Sequence, residues 1–176
     1  MAELDSILAG SEMEDILARV EEARVLRKQD ELEESQELLL SMFQEHPDHP
    51  LILFEVGGSY DVIGEEELAI PYYRRALVEG IDGDDRQECL VCLGSSLRVI
   101  GESEEAVAIL QQAVEEFPNR PSARVFLALA LLDEGEEVEA VATLLDVVLK
   151  TSNDEDIQAY SGALEYYRDE LRGELD

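Results

Sequence analysis

At 176 residues the chain is long enough for one compact domain or one short repeat array. Its formal charge of −30, from 43 acidic and 13 basic residues, repels phosphate backbones and anionic headgroups, so nucleic acid and membrane surfaces are excluded as expected partners. Ala, Leu, Glu and Val dominate, Trp is absent, and Gly and Pro fall at regular breaks, which is a helical composition.

The N-terminal MAELDSILAG has no basic region followed by a long apolar run, so it does not read as a secretory leader. No segment has the apolar length of a membrane span. Two cysteines do not make a disulfide framework. The expected location is therefore cytoplasmic and reducing. Only Lys28 and Lys150 are lysines among the cations. An acidic, Lys-poor surface suits a salty interior, and equally an ordinary acidic protein.

Residues 1–11 read as a tail, although Leu4, Ile7 and Leu8 share a helical face too short to be stable alone. Ser11-x-x-Glu14 has the form of a capping box. Met13, Ile16, Leu17, Val20, Ala23 and Leu26 follow at helical spacing, predicting a helix that ends near Gln29. A second helix is predicted from about Leu32 to Glu45, stopped by Pro47. Pro50 suits the first turn of a third helix, and Gly64 the turn after it. Pro71 falls within the fourth helix and removes a backbone donor, predicting a late start or a kink.

After the linker 80–85, Leu90, Leu93, Gly94 and Leu97 form the next stripe, then the turn at Gly101, then Ala106, Leu110 and Ala113. Leu127, Ala128 and Leu131, the turn at Gly135, and Ala140, Leu144 and Val147 repeat that order. Ser152-x-x-Glu155 looks like a further capping box. Ile157, Tyr160, Leu164, Tyr167 and Leu171 then predict one final amphipathic helix.

These units are copies. Within 53–76, Leu53, Val56, Gly57 and Tyr60 are followed by Ala69, Tyr73 and Ala76. That order resembles the tetratricopeptide-repeat signature W-x2-L-G-x2-Y…A-x3-F. Starts near 16, 50, 87 and 121 give steps of 34, 37 and 34 residues. The first copy is degenerate, because Arg19 and Glu22 fill positions that should be large and apolar.

The resemblance implies an all-α fold, a right-handed helical-repeat solenoid of antiparallel helix pairs. About four units are expected, near 16–49, 50–86, 87–120 and 121–152 within a domain of 12–176, with a capping helix at 153–172. Gly57, Gly94 and Ala128 lie where paired backbones come close.

The resemblance also implies a groove lined by the first helices of successive units, taking an extended peptide or a partner helix. Carried onto this chain, its partner-binding positions include Arg24, Arg27 and Lys28 in the first unit, then Phe54, Asp61 and Val62. The third unit gives Val91, Ser95, Arg98 and Val99, and the fourth Val125, Leu129 and Leu132. An apolar floor with a basic end suits a peptide with hydrophobic anchors and acidic residues. Gly58, Ser95 and Val62 stand where some relatives have a carboxylate clamp, so recognition of a chaperone C-terminus is not expected.

Cys89-x-x-Cys92 falls within a predicted helix, and His46 and His49 within a turn, so neither redox chemistry nor a metal site is expected. No phosphate-binding loop occurs, and Gly57-Gly58-Ser59 is helical rather than a nucleophile elbow. The expected protein is a non-catalytic scaffold or adaptor without cofactor, binding a protein or peptide. The alternative is a self-associating homodimer, pairing through the first unit at Arg19 and Glu22.

Overall fold

The computed structural model describes residues 2–174, and these residues form ten helices without strands. They are α1 (Ala2–Lys28), α2 (Leu32–Glu45), α3 (Pro50–Asp61), α4 (Glu66–Val78), α5 (Gly83–Val99), α6 (Ser103–Glu116), α7 (Ser122–Asp133), α8 (Glu137–Thr151), α9 (Glu155–Ala159) and α10 (Ser161–Arg172). Among the described residues no helix is long and apolar enough to cross a membrane. The chain divides into two units, 1–85 and 86–176.

In the first unit α1 packs on α2, α2 on α3, and α3 on α4. Ile16, Val20 and Ala23 of α1 meet Leu39 and Met42 of α2 and Ile52 and Val56 of α3 in one buried cluster. The Ser35 hydroxyl donates to the Ala23 carbonyl at 2.8 Å, which satisfies a buried polar side chain in this seam. Arg19 does not disturb the pair. It reaches past the core and donates two hydrogen bonds to Glu45, at 2.8 and 2.9 Å.

Between α3 and α4 the small residue is required. A Cβ on Gly57 would stand 2.7 Å from the Tyr73 ring, which is fully buried. The intra-pair turns of the later units carry glycines in the left-handed region, at Gly64, Gly101 and Gly135. The first pair makes the same turn with Asp30, at φ 66°.

In the second unit α6 packs on α7, α7 on α8, and α8 on α10. Leu90, Leu93, Leu97, Leu110, Ala113, Ala123 and Ala128 supply its core. A Cβ on Gly94 would lie 2.4 Å from Leu110 Cγ, so the facing side chain packs even more tightly on this glycine than Tyr73 does on Gly57.

Four sequence expectations differ from the structure. First, the helix expected to open at Ser11 is already formed at Ala2, because the residues before Ser11 continue the helix without a break. The expected apolar face of Leu4, Ile7 and Leu8 lies outside the described side chains. Second, α4 does not start late: Glu65 precedes its first turn and Pro71 is accommodated inside the helix. Third, the final capping helix is two segments, α9 and α10, meeting at Tyr160. Fourth, its cap is Asp154 rather than Ser152, with one Asp154 oxygen accepting from the Asp156 and Ile157 amides at 3.0 and 3.3 Å.

Candidate functional site

The expected groove positions fall in both units. In the first, Glu55 of α3 is a buried carboxylate, only 2% exposed, with arginines from α1 on it. Arg24 Nε donates to Glu55 Oε1 at 2.7 Å, and Arg27 Nη2 to Oε2 at 3.0 Å. Arg24 Nη2 also donates to Asp85 at 3.1 Å. Burial works against the Arg24 charge, but Glu55 and then Asp85 raise its pKa above the ordinary value.

Gly58 is part of this arrangement. A Cβ there would be 3.2 Å from Arg27 Nη1, so the glycine leaves room for the guanidinium to lie across α3. Asp61 accepts from the Tyr73 hydroxyl at 3.0 Å. Val62 is half-exposed and Lys28 is exposed. Phe54 does not reach the surface: it is 5% exposed and packs on Tyr73 with ring centroids 6.0 Å apart. It is core, not a docking contact.

In the second unit, Val99, Val125, Leu129 and Leu132 are exposed apolar side chains on α5 and α7. Arg98 Nη1 donates to Asp133 at 2.9 Å, tying the ends of those two helices together. Ser95 is half-buried. Val91, at 8% exposure, is core like Phe54.

The arginines are thus not a free basic end. Arg24, Arg27 and Arg98 are each ion-paired, which the sequence did not reveal because Glu55 read as one more acidic residue among many. A second feature was also illegible. Arg27 Nε and Arg98 Nε are buried donors without a protein acceptor, and the buried ring atom His49 Nδ1 also has no hydrogen-bond partner. Buried donors are nearly always satisfied, so two orphans on two expected groove arginines are notable.

Other candidate groups are less suited to chemistry. Burial pushes the Cys89 thiol up to about 12, far from a reactive thiolate. Neither cysteine is in a disulfide. Among the described residues no group of three or more His, Cys, Asp or Glu side chains is placed to hold a metal. Arg19, offered for pairing with a second copy, is engaged with Glu45 of its own chain.

Paired antiparallel helices, joined by left-handed turn residues and closed by small residues at the seam, define a helical-repeat protein. The sequence model of the tetratrico peptide repeat family matches residues 50–171, and the chain belongs to that family. The fold is shared with several solved structures. YrrB, described as a TPR protein with an unusual peptide-binding site, is 22% identical with a TM-score of 0.66, the match covering 86% of this chain and 76% of YrrB. PilF of Pseudomonas aeruginosa is 19% identical at a TM-score of 0.67, over 89% of this chain and 71% of PilF. MamA from Desulfovibrio magneticus RS-1 is 16% identical at 0.64, over 90% of this chain and 96% of that structure. At these identities the likeness carries the fold alone. Comparison with curated proteins gives no match. The tetratricopeptide repeat is a protein–protein interaction fold.

Proposed function

We propose that the chain is a non-catalytic adaptor that binds a peptide or a helix of a partner protein. The contact residues are the exposed first-helix positions Val99, Val125, Leu129 and Leu132 of the unit 86–176. The observation that carries this reading is the set of exposed apolar side chains that α5 and α7 present together, Val99, Val125, Leu129 and Leu132. The apolar side chains supply anchors, since exposed apolar groups on paired helices mark contact surfaces. YrrB is a tetratricopeptide-repeat protein described by its peptide-binding site, which is consistent with this use of the fold.

Because Arg24 and Arg27 are paired with Glu55 and Asp85, and Arg98 with Asp133, none of them selects for net negative charge in a ligand. This shapes the test. Arg27→Glu would set a second carboxylate against buried Glu55 and damage the fold, so loss of binding would be uninformative. Val99→Ser with Leu132→Ser changes only exposed positions. Affinity capture from native extract, run with the parent and with this double variant, is the experiment. A partner held by the parent and lost by the variant supports the face; partners held equally by both place the contact elsewhere.

A further inference from the structure

The fourth copy of the repeat departs from its predecessors at the first large position. Leu53 and Leu90 fill that position in the second and third copies, and both are fully buried. The fourth copy has Arg124, which is half-buried. A guanidinium keeps its charge near water and does not fill an apolar seam as leucine does. The two seam leucines that follow, Leu127 and Leu131, are half-buried as well, whereas their counterparts Leu93 and Leu97 are at most 1% exposed. A cavity of about 380 Å³ stands over Leu127 and Leu131, with Val114 of α6 and Thr143 of α8 in its walls. It lies within the unit 86–176. Helical phase turns Arg124, Leu127 and Leu131 away from Val125, Leu129 and Leu132, so this cavity is separate from the contact surface proposed above.

A second cavity, of about 240 Å³, lies over Pro118 and Pro121 in the turn between α6 and α7. Arg124 and Lys150 line both cavities. Arg124 Nη1 donates to the Pro118 carbonyl at 2.8 Å, and among the described residues neither cation is in an ion pair. The carboxylates of the larger cavity are in a different state. Arg172 holds Glu139 and Asp146, each at 2.9 Å, and Arg168 adds a bond to Asp146 at 3.2 Å. Two uncompensated cations therefore stand at one end of a cavity whose floor is aliphatic.

We propose that this site binds a small amphiphilic monocarboxylate, an aliphatic acid whose head lies between Arg124 and Lys150. The two cations supply charge-assisted hydrogen bonds to the head. The aliphatic body covers Leu127, Leu131 and Val114 and removes their apolar surface from water. The cavity volume lies within the range of small-ligand sites, about 300–1,000 Å³. The charge of the chain, formally −30, disfavours ligands that carry several negative charges and disfavours a single carboxylate least. The smaller cavity opens the cation pair on its other side, which suits a ligand with its head out and its body in. This inference does not rest on the adaptor reading.

Octanoate is the probe, titrated into the full chain by calorimetry, with octanamide as its uncharged match and acetate as a head without a body. Octanoate should bind, and should exceed both of the others by at least about tenfold, or about 1.4 kcal/mol. Lys150→Gln, at an exposed position, should weaken octanoate by a similar factor with an unchanged melting curve. Arg124→Leu restores the residue type of Leu53 and Leu90, and should abolish binding while keeping or raising the melting temperature. Val99→Ser with Leu132→Ser should leave octanoate binding unchanged, which separates this site from the contact surface on α5 and α7. The inference is overturned by no binding of octanoate, by octanamide or acetate binding equally well, by indifference to Lys150→Gln, or by loss with Val99→Ser and Leu132→Ser. A short uncharged peptide ending in a leucine carboxylate that binds more tightly than octanoate would overturn it in favour of a chain terminus.

Discussion

Gly94→Ala tests the helix seam with the smallest possible change. The new Cβ would stand 2.4, 2.8 and 3.0 Å from Leu110 Cγ, Cδ2 and Cδ1. Carbon atoms prefer about 3.5–4.0 Å, so Leu110 or the α5 backbone must move by roughly 1 Å. Leu110 is fully buried and has no free volume to enter. Overpacking of this kind costs about 1–3 kcal/mol. The helix-propensity gain of Ala over Gly offsets about 0.5–1 kcal/mol of that. The net expectation is a loss of about 1–2 kcal/mol in urea unfolding followed by circular dichroism. The stronger test is a double-mutant cycle. Leu110→Ala alone should cost about 2–5 kcal/mol, but in its presence Gly94→Ala should become neutral or favourable, because the clash partner is gone. Gly58→Ala is the contrasting control. Its Cβ would stand 3.2 Å from Arg27 Nη1, a far milder approach than at Gly94, so a shift of a few tenths of an ångström in the guanidinium held by Glu55 accommodates it and the change should cost less than Gly94→Ala. Strict additivity in the cycle would refute the close approach at Gly94.

Three further outcomes are expected. Glu55→Gln should lower stability by about 2–3 kcal/mol, because it strands two arginines on a buried site while their partial exposure limits the penalty; an unchanged urea midpoint would contradict the ion-pair assignment. Glu116 is held down to about 2, first by its hydrogen bonds from Arg86 and then by Gln112. Its folded pKa lies below the ordinary value of 4.5, so the stability it contributes is full above that value and is lost as pH falls towards 2. Accordingly, the melting-temperature difference between the parent and Glu116→Gln should be largest above pH 4.5 and vanish near pH 2, and a constant difference would dismiss this pairing. Finally, moderate NaCl should raise the melting temperature by screening the self-repulsion of a chain at −30, and a flat or falling response would remove that argument.

The sequence alone determined the all-α class, the helix pairing and most of the helix limits. The boundaries Leu32–Glu45 and the start at Pro50 follow from local rules, since periodicity, proline geometry and turn glycines act within a few residues. The small residues Gly57 and Gly94 were legible for the same reason: they recur at fixed places in a repeat. Tertiary structure decided the rest. Whether Phe54 is groove or core depends on the Tyr73 ring of α4, not on its own helix. Glu55 resembles any surface glutamate in the sequence until α1 brings Arg24 and Arg27 onto it, and those arginines are then charge-paired rather than a free basic patch. The sequence likewise predicted that the last helix seals the array. Docking of Arg168 and Arg172 on Asp146 and Glu139 holds α10 to one side of α8, and so leaves Val141 and Leu144 uncovered. Periodicity specifies which residues share a face; only the positions of neighbouring helices specify what that face meets.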